Sequence, residues 1–212
     1  MIGVDTSTEH VLEDDRALLR PLMAHDHPHL LPFALNEPGL WKYSLQRATG
    51  SDGLATYIRT AVEARARGSE YPFIVFDKRA GAYAGSTRFY DMQPAFGTTQ
   101  LGYTWYGSAF QGTGLNTHCK FLLLRFAFEG CGLERVEFRA DANNARSIAA
   151  MKRIGCTEEG ILRSHMPDGG GGRRSSIVLS ILREEWFSRV RSDLKQRLGQ
   201  PVRFNHMGPF NA

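Results

Sequence analysis

Cysteine is scarce in this chain of 212 residues: it has three, and no two of them have the CxxC spacing of many zinc and redox sites. An odd number also argues against the disulfide framework of a small secreted domain. We therefore expect Cys119, Cys131 and Cys156 to be reduced, mostly buried thiols in a cytosolic protein. No base accompanies any of them in the sequence, so a catalytic cysteine is not favoured.

Long hydrophobic runs are absent as well. The most apolar stretch, FLLLRFAF at 121–128, is interrupted by Arg125 and is much shorter than the roughly 18 residues of a membrane-spanning helix. The N-terminal residues lack the basic start and apolar centre of a secretory signal. These absences predict a cytoplasmic protein with no membrane partner.

Charge of one sign is only slightly in excess. The 26 basic and 22 acidic residues leave a formal net charge of +4, which suits an acidic partner or a polyanionic ligand. The basic residues do not form the clustered patch of a nucleic-acid-binding domain, so no nucleic-acid partner is expected. No metal site is expected either, because the alternating histidines His25, His27 and His29 would not share one face of a helix.

The predicted elements follow one another in mixed order: a strand, two helices, three strands, a helix, a strand, a helix, two strands and a final helix. Such an order, without strict alternation of strands and helices, predicts an α+β fold with helices on the faces of a sheet. We expect one domain over 15–198, a flexible arm at 1–14 and a tail at 199–212. The glycine run within 168–172 is typical of a mobile hairpin tip.

A glycine loop at 111–114 is the most distinctive feature. It follows a predicted strand at 98–106 and leads into a helix whose first turn offers free N–H groups and the positive end of the helix dipole. Such a loop suits a phosphate group, although a simple tight turn is the structural alternative. It is not a Walker loop, because Leu115 and Asn116 follow Gly114 where that motif has lysine. A dinucleotide fingerprint would need a third glycine.

Two signatures give the chain a family resemblance. The hexapeptide QGTGLN at 111–116 resembles the Gln/Arg-x-x-Gly-x-Gly/Ala signature of GNAT acyltransferases, although Asn116 replaces the usual small residue. The sequence NARS at 144–147, followed by a short helix and Gly155, is similar to a second signature of the same enzymes. Over 20–186 the chain resembles the RimL/RimJ-like branch, the ribosomal-protein N-terminal acetyltransferases.

The resemblance implies a GNAT fold, with a mixed, mostly antiparallel sheet of about seven strands and helices on both faces. It also implies direct transfer of an acetyl group from acetyl-CoA to a primary amine, with coenzyme A as product. The pyrophosphate would be bound by the loop and first helical turn, comprising Gln111, Gly112, Thr113, Gly114, Leu115 and Asn116. A backbone amide of Trp105 or Tyr106 would polarise the thioester carbonyl. Asn144 would lie beside the pantetheine arm, and Ser147 would protonate the leaving thiolate unless it is only a helix-start residue.

The positions of the usual acid and base depart from the family pattern, with Gln100 and Met151 in place of titratable residues. An α-amine, with a pKa near 7.7 to 8.0, needs a base less than a lysine does, so a protein N-terminus is the favoured acceptor. His118 or His165 could still supply a base. A small amine, amino acid or antibiotic is the alternative acceptor, and a non-catalytic acyl-CoA-binding module is a further alternative. A homodimer is compatible with the sequence.

Overall fold

One mixed sheet is the centre of the molecule. The computed structural model describes residues 2–168 and 171–199, and in these residues eight strands lie in the order β1-β2-β3-β4-β5-β6-β8-β7. Neighbouring strands are antiparallel, except that β5 and β6 are parallel. The strands are β1 (Leu12–Glu13), β2 (Ala17–Pro21), β3 (Tyr71–Asp77), β4 (Ala82–Gln93), β5 (Thr98–Tyr106), β6 (Arg135–Asp141), β7 (Thr157–Pro167) and β8 (Arg173–Leu182).

Five helices accompany the sheet in the described ranges, and two of them contain or run into a π-helical turn. They are α1 (His27–Asn36), α2 (Gly50–Ala66), α3 (Leu115–Arg125), α4 (Ala145–Arg153) and α5, which comprises Arg183–Glu185, a π-helical turn at Trp186–Val190 and Arg191–Leu198. A second π-helical turn, Phe126–Gly130, continues α3. Among the described residues, no helix combines the length and the apolar character that crossing a membrane requires.

Helices cover both faces of the sheet, as predicted. Successive residues of β3 point to opposite faces, so Phe73 and Val75 join one hydrophobic cluster and Ile74 joins the other. The first cluster includes the buried side chains of α3 and α5, and the second includes those of α1 and α2. The three cysteines are buried and unpaired, as expected.

The N-terminal edge of the sheet adds one strand to the predicted number. Leu12–Glu13 pairs antiparallel with β2, and Leu12 is buried, so the sheet has eight strands rather than about seven. A two-residue strand has no periodicity that a sequence pattern could reveal, which is why the segment was expected to be part of a flexible arm. The division into domains stays a prediction. The expected tail lies, after Gly199, outside the described residues, and so does the centre of the glycine run, 169–170.

A notch between β5 and β6 positions the candidate site. The two strands pair only over three residues, Thr98–Gln100 with Arg135–Glu137, and then separate. On its other side β5 stays paired with β4 as far as Tyr106, apart from an irregularity in register. Tyr103, which lies in that irregularity, has a positive φ of 48°. The backbone of β5 beyond Gln100 therefore has a partner strand on one side only.

Candidate active site

The glycine loop lies where β5 leads into α3, as predicted. A short 3₁₀ turn, Ser108–Phe110, precedes it, and the Thr113 hydroxyl donates a hydrogen bond of 2.8 Å to the carbonyl oxygen of Phe110. Gly112 and Gly114 have φ values of +74° and +91°, which side-chain-bearing residues rarely adopt. Open space surrounds the position that a Cβ would take at each of them. Backbone conformation therefore requires both glycines, and no described residue other than a chain neighbour lies within 4 Å of the Cβ position at either of them.

Several amides at the loop are available for a ligand. Among the described residues, the backbone N–H groups of Gly112, Thr113, Gly114 and Asn116 donate to no protein acceptor. Leu115 N–H has only a long contact, 3.5 Å, with the Thr113 hydroxyl. The helix dipole of α3 adds positive potential at the same place. The loop has the free donors that a phosphate group requires.

A polar bridge joins this loop to α4. The Gln111 side chain donates from Nε2 to the Tyr106 carbonyl oxygen at 2.7 Å, and its Oε1 accepts a hydrogen bond from the Arg146 guanidinium. Arg146 is exposed and has no carboxylate beside it in the described part of the chain. Its positive charge therefore lies beside the free amides. The sequence analysis did not single out Arg146, because 35 residues separate it from Gln111.

The pairing of β5 with β4 decides which strand amides face the notch. Gly107 N–H donates to the Ala84 carbonyl oxygen, so this is a hydrogen-bonded pair, and the Tyr106–Gly85 pair next to it is not. The amide of Tyr106 consequently points away from β4 and into the notch. The amide of Trp105 points towards β4 and is used in the sheet. Of the two amides considered from the sequence, the geometry leaves only that of Tyr106 free.

The side chain of Tyr106 is separate from this amide. Its ring is 7% exposed and packs in the hydrophobic cluster with Cys119, and its hydroxyl has no hydrogen-bond partner in the described residues. Burial raises the pKa of the Tyr106 hydroxyl well above its ordinary value. Any contribution of Tyr106 to chemistry therefore comes from its backbone.

Asn144 and Ser147 form the start of α4. The Asn144 side chain accepts a hydrogen bond of 3.2 Å from the Ser147 amide, so Asn144 is the N-cap of this helix. The Ser147 hydroxyl makes no hydrogen bond in the described residues, and both side chains line the same cleft as the loop. A capping role and a ligand-binding role are compatible for Asn144.

The cleft itself has a volume of about 1130 Å³ and follows the notch. Its lining includes the end of β5, the glycine loop, the diverging part of β6 and the first turns of α4. A cavity of this size can bury a large part of a cofactor-sized ligand. The structure thus brings the two signature segments, 111–116 and 144–147, to one cavity. Two predicted residues, Thr113 and Leu115, are not among those that line the cavity. The side chain of Leu115 is fully buried in the core, so Leu115 could contribute only backbone.

The residues considered for acid–base chemistry are only partly brought together. Gln100 donates from Nε2 to the Asp91 carboxylate at 2.7 Å, and both line the cleft, as does the buried side chain of Met151. The sequence analysis missed Asp91, which has a positive φ of 47° and lies near the end of β4. His165 also lines the cleft, and neither of its ring nitrogens has a partner in the described residues.

His118 is directed away from this chemistry. Its Nδ1 lies 2.8 Å from the Asp14 carboxylate, and it is not among the residues that line the cleft. Burial would raise the pKa of Asp14, but hydrogen bonds from His118 and from the amides of Ala17 and Arg16 outweigh burial and lower it. His118 therefore belongs to a structural hydrogen bond between α3 and the N-terminal segment.

Lys120 is a further polar residue of the cleft that the sequence analysis missed. It lies on α3 between Cys119 and Phe121, both fully buried, and its Nζ donates to the Thr104 hydroxyl at 2.9 Å. The signal in the sequence was a lysine one position after an apolar residue of the helix. A lysine at such a position is often solvent-exposed, so the sequence alone could not place Lys120 in the cleft.

Comparison with known proteins gives a consistent result. The family model described as "Acetyltransferase (GNAT) domain" matches residues 16–157. A putative ribosomal N-acetyltransferase, YdaF of Bacillus subtilis strain 168, is 31% identical over 109 residues, which are 50% of this chain and 57% of that protein's length. The chain thus spans little more than half the length of this curated relative.

Solved structures show the same fold. A GCN5-related N-acetyltransferase from Brucella melitensis has a TM-score of 0.83 at 22% identity, covering 92% of this chain and 88% of that one. A probable GNAT-family acetyltransferase from Chromobacterium violaceum has a TM-score of 0.79 at 28% identity, with coverage of 89% and 93%. Mycobacterium smegmatis RimJ, solved in complex with CoA-disulfide, has a TM-score of 0.75 at 20% identity, with coverage of 93% and 97%.

The splayed strands, the free amides at the start of α3 and the match of the family model over most of the sheet lead to one conclusion. The chain belongs to the GNAT family of N-acetyltransferases and is similar to its RimJ/RimL-like branch.

Proposed function

We propose that this protein is a cytoplasmic acetyltransferase that uses acetyl-CoA to acetylate a primary amine, with a protein or peptide N-terminus as the favoured acceptor. The observation that carries the proposal is the group of unpaired amides at 112–116, which opens on the cleft between β5 and β6. GNAT enzymes use acetyl-CoA, and the solved RimJ neighbour contains a coenzyme A derivative. The donor supplies an acetyl group activated as a thioester.

The residues present fit this donor. In our proposal the amides of Gly112, Thr113, Gly114 and Asn116 bind the pyrophosphate, and Arg146 adds a positive charge beside them. The side chain of Gln111 holds Arg146 and the end of β5 together. A phosphate at such a site gains both hydrogen bonds and the favourable helix dipole.

The notch gives the pantetheine arm a strand-like partner. Tyr106 directs its N–H group to the notch. Residues i and i+2 of an extended strand direct their amides to the same side, so in our proposal Thr104, at the irregularity of β5, offers a second N–H group. In our proposal these amides bind pantetheine and polarise the thioester carbonyl, as an oxyanion hole does. Asn144 and Ser147, at the start of α4, form the opposite wall.

The acceptor side of the cleft contains Asp91, Gln100 and His165. Asp91 is a carboxylate that can bind the acceptor as an ammonium ion before it loses its proton. An α-amine is roughly a tenth neutral at pH 7, so solvent or His165 can remove the proton without a strong base. This supports an N-terminal amine over a lysine side chain, and the name of the relative YdaF agrees with a protein acceptor.

Isothermal titration with acetyl-CoA and coenzyme A, followed by a thiol-release assay on a panel of amines, tests the proposal. We expect binding of both ligands and turnover of peptide N-termini. Replacing Asn116 by Asp would place a negative charge at the loop and weaken binding, whereas Asn143→Asp, on the rim of the cleft, is a control of equal charge. Absence of acetyl-CoA binding by the wild-type protein would refute the proposal.

A small amine that also carries a carboxylate is a second candidate acceptor, and Arg174 favours it. Arg174 is 8% exposed, lines the cleft and has no carboxylate within ion-pair distance in the described ranges. Among the described residues, its guanidinium donates to the Ser176 hydroxyl, at 2.8 Å, and to the Tyr43 carbonyl oxygen, at 3.2 Å, and to no other acceptor. An anionic group on the acceptor would complete these contacts.

The two acceptors are separated by their dependence on Arg174. If the acceptor carries a carboxylate, Arg174→Met should raise its KM at least 10-fold, and the adjacent exposed substitution Arg173→Met should leave KM unchanged. An amino acid that is acetylated while peptide N-termini are inert would replace the first proposal by the second.

A further inference from the structure

Lys120 is a buried lysine with no carboxylate beside it. It is 5% exposed, and in residues 2–168 and 171–199 no acidic side chain forms an ion pair with it. Buried lysines are almost always paired, because an unpaired charge in the protein interior is costly. A lysine that is retained here without a counter-ion is therefore a candidate for a functional role.

The hydrogen bonds of Lys120 are incomplete. An ammonium group has three N–H donors, and the Thr104 hydroxyl accepts one of them at 2.9 Å. The same hydroxyl lies 2.7 Å from that of Thr87, so the contact continues into β4. The two other N–H donors have no acceptor among the described residues. Because Lys120 lines the cleft, their acceptors come from whatever fills it, solvent or ligand.

In the part of the chain that the structure describes, no other charged group forms a contact with the ammonium. The elements packed against it contribute the hydroxyl of Thr104, the ring of Phe138 at 5.8 Å from Nζ, and the thiols of Cys119 and Cys156. Burial lowers the pKa of Lys120 to about 8, and the two thiols act in the opposite direction without cancelling it. An ordinary thiol has a pKa near 8.5, so a proton would pass between lysine and a thiolate at little cost in free energy.

Lys120 also lies at the part of the notch that the thioester would reach. The glycine loop follows the C-terminal end of β5, so a pantetheine arm that starts there passes Tyr106 before it reaches Thr104. These two residues are roughly 7 Å apart along the strand. Nζ of Lys120 donates to the side-chain hydroxyl of Thr104, the deeper of these two residues. An arm bound in this way would bring its sulfur near the ammonium of Lys120.

We propose that Lys120 is the acid that protonates the thiolate of coenzyme A as it leaves, an inference that rests on the proposed function. The neutral acceptor nitrogen forms a bond to the acetyl carbon, and the carbon–sulfur bond breaks with its electron pair on sulfur. Lys120 donates one proton from Nζ to that sulfur. The acceptor nitrogen releases its extra proton to solvent, and Lys120 recovers a proton from solvent when the products leave. Ser147 donates a hydrogen bond to the sulfur but no proton.

The first test does not require turnover. The chain has five lysines, so carbon NMR of protein labelled at lysine Cε resolves few signals, and Lys120→Met assigns the one from Lys120. We expect this signal to titrate near pH 8 in the ligand-free protein and to shift when coenzyme A binds. Ultraviolet absorbance of the thiolate should show that the bound thiol has a lower pKa in the wild type than in Lys120→Met. Identical thiol titrations in the two proteins would show that Lys120 does not contact the sulfur, and would overturn the proposal.

The second test separates proton donation from positive charge. Lys120→Arg keeps the charge but cannot release a proton near neutral pH, and Lys120→Met removes both. We expect kcat with acetyl-CoA to fall about 100-fold in both variants, while KM for acetyl-CoA changes by a few-fold at most. The exposed Lys195→Met should retain the wild-type kcat. A Lys120→Arg variant with full kcat up to pH 9 would overturn the proposal and leave the proposed function intact. Failure of the wild-type protein to bind acetyl-CoA would overturn both.

Discussion

The buried lysine in the cleft has a measurable cost in stability. The ordinary pKa of 10.5 for a lysine falls to about 8 at Lys120 because of burial. At about 1.36 kcal/mol for each pH unit, this difference corresponds to roughly 3 kcal/mol of destabilisation by the charged form. Lys120→Met removes that cost and also removes the hydrogen bond to Thr104, worth about 1 kcal/mol. We expect Lys120→Met to raise the free energy of unfolding by about 2 kcal/mol at pH 7.

The pH dependence gives the sharper test. Between pH 8 and 10.5 the unfolded chain keeps the lysine proton that the folded protein has lost, so the free energy of unfolding of the wild type rises with pH across this window. Below pH 8 the full cost applies, and above 10.5 it is gone. Because other groups titrate too, the quantity to measure is the difference between wild type and Lys120→Met, by urea denaturation at several pH values.

The difference should be largest at pH 7, should fall as pH rises, and should reverse sign by about pH 10.5, where only the lost hydrogen bond remains. The exposed substitution Lys195→Met should show no such trend and should change stability by less than about 0.5 kcal/mol. A Lys120→Met protein that is less stable than the wild type at pH 7, or a difference that is constant with pH, would refute the reasoning. Either result would mean that the ammonium is solvated or paired in solution.

Three further predictions concern the loop and its supports. Gly114→Ala should lower the free energy of unfolding by about 1 kcal/mol and weaken acetyl-CoA binding. Gly81→Ala is the control, because Gly81 lies in a hairpin turn with a φ of +64° and open space for a Cβ. It should lower the free energy of unfolding by the same amount and leave acetyl-CoA binding unchanged. If calorimetry gave equal affinities of the two variants for acetyl-CoA, the conformation of the glycine loop would not be required for binding. Gln111→Ala should weaken acetyl-CoA binding several-fold, because Arg146 loses the side chain that holds it at the loop. The loss of affinity should be smaller at high salt, since salt screens the attraction between Arg146 and the phosphates. A loss of affinity that does not depend on salt would contradict this role of Arg146. Asp14→Asn should lower the free energy of unfolding by 1–3 kcal/mol above about pH 4. Because the pKa of Asp14 is lowered in the folded state, this difference from the wild type should disappear as the pH falls below that value. Urea unfolding at pH 7 and pH 3 measures the difference.

The parts of the site that were predictable are those encoded over short stretches of sequence. Residues 111–116 contain their own glycines and helix start, so the loop could be located without knowledge of the fold. The Asn144 side chain caps α4 by accepting a hydrogen bond from the Ser147 amide, three residues later, and this too is a local pattern. Mixed strand and helix order likewise indicated helices on both faces of the sheet.

What could not be predicted depends on register or on contacts between distant residues. Whether Trp105 or Tyr106 directs its amide into the notch is decided by pairing with Gly85, 21 positions from Tyr106. Asp91 reaches Gln100 only because β4 and β5 are neighbours. The burial of Lys120 could not be predicted for another reason. A lysine on a helix is normally solvent-exposed, and the structure is needed to show that this one is buried at the cleft.

The short contact between β5 and β6 has a consequence for the mechanics of the molecule. In the described residues, the five-stranded part of the sheet, β1–β5, pairs with the three-stranded part, β6–β8, over only three residue pairs. A donor bound along β5 would act as an inserted ninth strand and would bridge the two parts beyond this seam. Substrate loading and stiffening of the sheet would then be one event, visible as slower hydrogen exchange in strands that the ligand does not touch.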